Sequence, residues 1–274
     1  MITRPLGAGG PPVPVIGQGT WRMGENRRAR SRELAALHLG LELGLTHIDT
    51  AEMYGDGRAE ELVAEAIEGR RAEVFLATKV MPANASYEGT LRAFEASLKR
   101  LRTNYIDLYL LHWWSGRHPI AETMRAMETL VARGLLRYVG VSNLDVAQMK
   151  AAQAALTRER LVCNQALYHL RDREVEAELL PYCERAGIAV VAYTPLARGG
   201  YMQGVAAAIA RKHGRTPRQV VLNFLTRRRS LFTIPKASEP DHVRENAGAL
   251  DFTLPAEDVA AIDRAFRGPR RRRG

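Results

Sequence analysis

Ile106-Asp107-Leu108-Tyr109-Leu110-Leu111 is a near-continuous apolar run set between two helical patterns. Before it, Ser86 can cap a helix that carries Leu91, Phe94, Leu98 and Leu101 on one face. After it, Pro119 opens a helix with Ile120, Met124, Met127 and Val131 facing inward, proline being tolerated at a first turn. A strand that is apolar at nearly every position is covered on both faces, which is the pattern of a parallel sheet. The same strand-and-helix unit recurs in both directions.

Upstream, Ile2 to Val15 is rich in Gly and Pro and predicts a small hairpin or loop. Ile16-Gly17-Gln18-Gly19-Thr20 reads as a short first strand. Ser31 caps a helix with Leu34, Leu37 and Leu41 on one face, and Gly44 ends it. Thr46 to Asp49 is a strand, Ala59 to Ile67 a helix, and Val74 to Thr78 a strand. Downstream, Tyr138 to Val141 is a strand, and Asn143 or Asp145 caps the helix after it. Leu161 to Asn164 is a strand, Glu174 to Ala186 a helix stopped by Gly187, and Ile188 to Tyr193 a strand. Val205 to His213 and Pro217 to Arg227 are helical, Leu231 to Ile234 is the last strand, and helices from Pro240 and Pro255 close the chain.

Eight strands, each followed by helix, predict an α/β fold: a (β/α)8 TIM barrel with a short N-terminal hairpin. A length of 274 residues suits one barrel domain spanning 1–274, since such barrels reach about 250 residues as a unit. The alternative, an open doubly wound sheet, usually opens with G-x-G-x-x-G. Here Gly7-Ala8-Gly9-Gly10 runs into two prolines, and Gly17-Gln18-Gly19 lacks the third glycine and runs into Trp21.

The hydrophobic fraction is 46% and ordinary, and no apolar run approaches the ~20 residues of a membrane span. The first residues lack the apolar stretch of a signal peptide, so a cytoplasmic protein is expected. Cys163 and Cys183 form no CxxC pair, no His cluster has zinc spacing, and both thiols read as small buried hydrophobes, with no metal site. Lys plus Arg is 40 against 30 Asp plus Glu, a net charge of +10. Part of the excess lies in Arg227-Arg228-Arg229 and in a basic tail, 267–274, read as solvated and flexible. No nucleic-acid motif accompanies the charge, although a basic field would help recruit a phosphate-bearing ligand. No apolar stripe is left over, which favours a monomer.

In a barrel the chemistry sits at the C-terminal ends of the strands. Those ends carry Trp21, Asp49, Lys79, His112, Ser142 with Asn143, Gln165, Tyr193 and Lys236, and Tyr54 follows Asp49 in the next loop. Asp49 is the main carboxylate of this ring, so a two-carboxylate glycosidase lacks its second member. Ser142 has no evident base. A tyrosine beside a lysine suits acid–base work on an oxygen, because an ammonium stabilises the phenolate and lowers a pKa of about 10. Asp49 could hold Lys79 charged, and His112 could donate to a carbonyl oxygen as it gains charge. Such a group protonates an alkoxide but lacks a hydride donor, which a cofactor must supply.

These residues resemble the aldo-keto reductase family over nearly the whole chain. Gly44 to Gly55 is similar to the segment that holds the family's Asp and Tyr, Leu76-Ala77-Thr78-Lys79-Val80 to that holding its Lys, and Asp107 to Trp113 to that holding its His. The resemblance implies a catalytic tetrad of Asp49, Tyr54, Lys79 and His112. It implies that Ser142, Asn143 and Gln165 hold the nicotinamide carboxamide. Tyr193, in Ala192-Tyr193-Thr194-Pro195-Leu196, matches the aromatic that stacks under the ring, and Gly19 and Thr20 join Asp49 at the cofactor. Lys236, Ser238, His242, Arg244, Glu245 and Asn246 correspond to the segment around the 2′-phosphate and adenine. Trp21, Trp113 and Trp114 would wall the substrate pocket beside Tyr54 and His112.

The family pattern commonly has Ser straight after the phosphate-binding Lys and Arg six residues beyond it. Here those positions are Ala237 and His242, with Ser238 and Arg244 as substitutes. NADPH is the implied cofactor, and NADH stays open. The segment after Tyr193 and the C-terminal segment are short, which implies an open pocket. Gly19-Thr20-Trp21 and Asp49 to Gly57 look closest to bacterial members resembling methylglyoxal reductases. The expectation is NADPH-dependent reduction of a small-molecule aldehyde or ketone, with Tyr54 as proton donor. A slow-turnover nicotinamide-binding redox sensor, or a dedicated reductase of a specialised pathway, fits the same residues.

Overall fold

The computed structural model describes residues 1–199 and 203–266; the basic tail of 267–274 lies outside the described residues. Two short strands, β1 (Thr3–Pro5) and β2 (Pro12–Pro14), form an antiparallel hairpin. Eight parallel strands follow: β3 (Gln18–Gly19), β4 (His47–Asp49), β5 (Phe75–Val80), β6 (Ile106–Leu111), β7 (Leu136–Ser142), β8 (Leu161–Leu167), β9 (Ala189–Tyr193) and β10 (Leu231–Thr233). Each pairs with its neighbour in sequence. The seam between the last and the first strand is closed by parallel bridges Ile16–Thr233 and Gly19–Lys236, with Gly17 N donating to Thr233 O at 2.8 Å and Thr233 N to Val15 O at 2.9 Å. The sheet is therefore a closed (β/α)8 barrel.

The helices between the strands are α1 (Arg30–Glu42), α2 (Arg58–Ala66), α3 (Tyr87–Leu101), α4 (Ile120–Ala132), α5 (Val146–Ala155), α6 (Leu179–Ala186), α7 (Val205–His213) and α8 (Pro217–Leu225). After the last strand come α9 (Pro240–Ala247) and α10 (Ala256–Ala265).

β6 shows why its sequence reads as continuously apolar. All six residues are buried, but on two different cores. Leu108 and Leu110 join an inner cluster with Phe75, Ala77, Val191 and Phe232, which fills the barrel. Tyr109 and Leu111 pack outward against Phe94, Met124 and Met127 of α3 and α4. Leu6, Val13 and Val15 belong to the inner cluster, so the hairpin plugs the barrel floor. The two cysteines are free and buried. Among the described residues no helix is long and apolar enough to cross a membrane.

Two local expectations are corrected. Ser31 does not cap α1: the chain enters through a 3-10 turn, Arg27–Ala29, in which the Asn26 side chain accepts from Arg28 N, and Ser31 lies inside the helix. Glu174 to Ala186 is not one helix but a 3-10 turn, Glu174–Glu176, followed by α6. Pro181 is the cause, since a proline inside a continuous helix loses a backbone donor and clashes with the carbonyl four residues back. Of the two caps offered for α5, Asp145 makes the capping box with Gln148. Asn143 instead takes a left-handed backbone, φ +58°, which asparagine tolerates.

At the floor, Asp107 is 2% exposed yet carries a full set of partners. It binds Arg71 at 2.8 Å and Arg137 at 2.8 Å, and accepts from Leu76 N at 3.0 Å. The Tyr105 ring lies between the same two guanidinium groups, 3.8 and 4.2 Å from its centroid.

Candidate active site

At the opposite end, the C-terminal ends of the strands surround a cavity of about 720 Å³. Asp49 ends β4, Lys79 lies near the end of β5, and His112 follows β6. Tyr54 comes from the loop before α2. Lys79 is wholly buried, which costs free energy unless its charge is met by partners. Its Nζ donates to Asp49 Oδ1 at 2.7 Å, to Thr50 O at 2.8 Å and to the Tyr54 hydroxyl at 3.3 Å. Asp49 is fixed from its other oxygen by Gln165 Nε2 at 2.8 Å, and its carbonyl accepts from Thr20 Oγ1 at 2.9 Å. A hydrogen-bonded line thus runs from Gln165 through Asp49 and Lys79 to Tyr54, which borders the cavity.

Burial pulls the Lys79 ammonium down, but Asp49 and Tyr54 beside it prevail and its pKa lies above the ordinary value. The expected lowering of the phenol does not result. Burial raises the Tyr54 pKa, the Lys79 charge draws it back, Asp49 adds to the rise, and the net shift is upward. Tyr54 is therefore a protonated phenol at neutral pH. His112 stands edge-on to Tyr54, ring centroids 5.7 Å apart, and edge-on to Trp113 at 5.0 Å. Burial, with the Lys79 charge second, lowers its pKa to about 3, so the imidazole is neutral. Among the described residues its Nδ1 is buried without a hydrogen-bond partner.

His47, the first residue of β4, is lowered to about 4, chiefly by burial. An unfolded histidine titrates near 6.5, so between about 4 and 6.5 the unfolded chain binds more protons than the folded one. Folding stability is then fully present above about 6.5 and falls as pH drops toward about 4. Thermal melts at neutral and mildly acidic pH check this: the midpoint is expected to fall on acidification, and less so in His47→Phe. Equal acid sensitivity in the two proteins contradicts the attribution.

The other wall of the cavity includes Ser142, Asn143, Gln165, Tyr193, Thr194, Pro195, Leu196 and Lys236, together with Gly19 and Thr20. Asn143 Nδ2 donates to His112 O and to Ser142 Oγ, each at 3.0 Å, and its Oδ1 accepts from the Tyr193 hydroxyl at 2.8 Å. Thr194 has φ +52°, a costly conformation for a β-branched residue, and it precedes Pro195. Strain of this kind persists where the surroundings enforce it, and it recurs at ligand sites. Amide and hydroxyl groups gather beside Tyr54, and the cation Lys236 lines the same cavity, hydrogen-bonded to Ser238. That donor set fits a dinucleotide carrying an amide-bearing ring and a phosphate.

Not every expected residue reaches the cavity. Trp21 and Trp113 line it, but Trp114 does not; its Nε1 donates to His118 O at 2.8 Å. Ser238, His242, Arg244, Glu245 and Asn246 are also outside the lining. Asn246 is buried, its Oδ1 unpartnered among the described residues, and Glu245 pairs with Arg218 at 2.7 Å. Arg218, Pro217 and Met53 line the cavity without having been singled out from sequence. Thr216-Pro217 is a helix-start signal, and a helix that leads back into a barrel strand, as α8 leads into β10, begins on the catalytic rim, so Arg218 was open to that reading. Met53 carried no signal beyond standing next to Tyr54.

The aldo/keto reductase family model matches residues 15–267. The chain is 45% identical over 264 residues to methylglyoxal reductase YeaE of Escherichia coli, covering 94% of this chain and 93% of that protein. It is 34% identical to a glyoxal reductase of Bacillus subtilis, covering 92% and 88%. An aldo/keto reductase of Klebsiella pneumoniae, solved in complex with NADP and acetate, superposes with a TM-score of 0.93 at 43% identity, over 99% of this chain and 98% of that one. The family model, the sequence relatives and the superposed fold agree: the chain belongs to the aldo/keto reductase family.

Proposed function

We propose that the protein reduces an aldehyde or ketone to an alcohol with NADPH, Tyr54 delivering the proton to the carbonyl oxygen. The observation that carries this reading is the line from Gln165 through Asp49 and Lys79 to a protonated Tyr54 at the cavity wall. When bound, the dihydronicotinamide would supply a hydride to the carbonyl carbon. Ser142, Asn143 and the carbonyl oxygen of the Gln165 amide would hold its carboxamide, with Tyr193 against the ring. Lys236 and Ser238 would receive the 2′-phosphate. Neutral His112 orients the substrate by donating a ring N–H to its oxygen, where negative charge develops. As charge gathers there, Tyr54 passes its proton across, and Lys79 stabilises the phenolate left behind. We read the whole chain, 1–274, as one such domain.

The mouth of the cavity sets the substrate class. Trp21, Met53 and Trp113 line it and remain 37–40% exposed, an unusual exposure for large apolar side chains. They would cover an apolar or aryl substituent on the carbonyl carbon. Steady-state oxidation of NADPH and NADH, each with methylglyoxal and with para-nitrobenzaldehyde, tests the assignment. The expected result is turnover with NADPH, and a higher kcat/KM for the aryl aldehyde. Tight NADPH binding with no aldehyde turned over sinks it in favour of a sensor.

A further inference from the structure

Glu52 stands two residues before Tyr54 and is absent from the cavity wall. Its carboxylate reaches into the next loop of the barrel. Oε1 accepts from Met81 N at 2.7 Å and from Asn84 Nδ2 at 3.1 Å, and Oε2 lies 3.3 Å from the same amide nitrogen. Its own backbone N–H donates to Lys79 O at 3.4 Å. Met81 lies two residues after Lys79. One residue therefore ties the segment bearing Tyr54 to the segment bearing Lys79.

The Tyr54 loop needs such a tie. Gly55, Asp56 and Gly57 all have positive φ, at +57°, +55° and +88°. Beyond them α2 begins, and Ala59 N donates back to Tyr54 O at 3.3 Å. The loop is thus anchored to α2 on one side, and Glu52 anchors it to β5 on the other. We infer that Glu52 is a positioning residue, which sets the separation of the Tyr54 hydroxyl and the Lys79 ammonium by clasping their two loops together. This rests on the reading of Tyr54 as proton donor.

The charged surroundings leave the two roles separable. Glu52 is faced by Glu60, Arg100 and Tyr109, and Glu60 is itself held by Arg100 at 2.5 Å and Thr78 Oγ1 at 2.6 Å. Tyr54 is faced by Lys79, Asp49, His112 and Tyr193. Glu52 therefore reaches Tyr54 by geometry. Where the Lys79 contact lengthens, its downward pull on the phenol weakens and the effect of burial gains.

The test compares Glu52→Ala, Glu52→Gln and Asn84→Ala with the unmodified protein and with Tyr54→Phe. Three quantities are read: kcat and KM for para-nitrobenzaldehyde, the Kd of NADPH from fluorescence titration, and the pH profile of alcohol oxidation with NADP+. Glu52→Ala is expected to lower kcat about 10- to 100-fold, with the NADPH Kd within about twofold, because small misplacements of acid–base groups cost this much. The apparent phenol pKa in the pH profile moves upward. Asn84→Ala, which cuts the same clasp from its other end, shifts the profile in the same direction and decides the matter if Glu52→Ala fails to fold. Glu52→Gln keeps an oxygen that accepts from Met81 N and restores most of the rate. An unchanged kcat in Glu52→Ala overturns the inference, as does a lowered kcat with an unshifted profile that Gln does not rescue. If Tyr54→Phe retains full activity, the underlying reading falls; if Tyr54→Phe is inactive while the clasp variants behave normally, only the inference about Glu52 falls.

Discussion

Tyr54→Phe is expected to lower kcat for aldehyde reduction about 10²- to 10⁴-fold, the usual range for losing a general acid. NADPH affinity is expected to hold, because the phenol oxygen accepts its hydrogen bond from the inner side, from Lys79 Nζ. The substitution is a narrow one. Phenylalanine keeps the ring that meets His112 edge-on at 5.7 Å and the face that lies 4.9 Å from Lys79 Nζ. What it removes is a proton held ready by two opposed effects. Burial keeps the phenol protonated at neutral pH, and the Lys79 charge limits how far its pKa climbs. A good acid for an alkoxide needs both: a bound proton, and an ammonium to receive the phenolate once the proton has gone. Stopped-flow reduction at saturating NADPH measures the effect, and a rate near that of the unmodified protein would remove Tyr54 from the mechanism.

Asp49, Lys79 and His112 were legible in the sequence because a barrel has one catalytic rim, and any polar residue ending a buried strand must lie on it. Strands alternate faces, Leu108 inward and Tyr109 outward, and with both faces buried that period reads as a continuous apolar run. Loops obey no such period. Trp113 and Trp114 are adjacent, identical and almost equally exposed, yet one lines the cavity and the other turns to His118 O. Only the path of the loop distinguishes them. Arg218 escaped because α8 follows α7, so no strand end marks its start as part of the rim. The direction of the Tyr54 shift also escaped. Spacing shows that an ammonium is near, but the depth of burial decides whether its pull prevails.

The largest expected loss of stability lies at the other end of the barrel. Asp107→Ala is expected to cost about 3–5 kcal/mol, the range for breaking a buried ion pair from one side. The carboxylate serves three donors from three segments: Arg71 ahead of β5, Leu76 N within β5 and Arg137 of β7. Alanine leaves each of them a different fate. Arg137 has a side chain 56% exposed and can return to water at little cost. Arg71, 17% exposed, keeps bonds to Tyr105 O at 2.9 Å, Val74 O at 3.0 Å and Thr103 Oγ1 at 3.0 Å, but its charge loses its counter-ion. Leu76 is wholly buried, so its N–H is left without a partner away from water. The guanidinium faces on either side of Tyr105 also lose the anion that aligns them. The loss therefore falls mainly on Arg71 and Leu76, and it should appear as a melting point lowered by about 6–15 °C for a chain of this size. Because the site is on the floor and Lys79 is on the rim, kcat measured well below the transition should stay near that of the unmodified protein. A melting point within about 2 °C of it would mean that the two arginines hold the floor without the carboxylate.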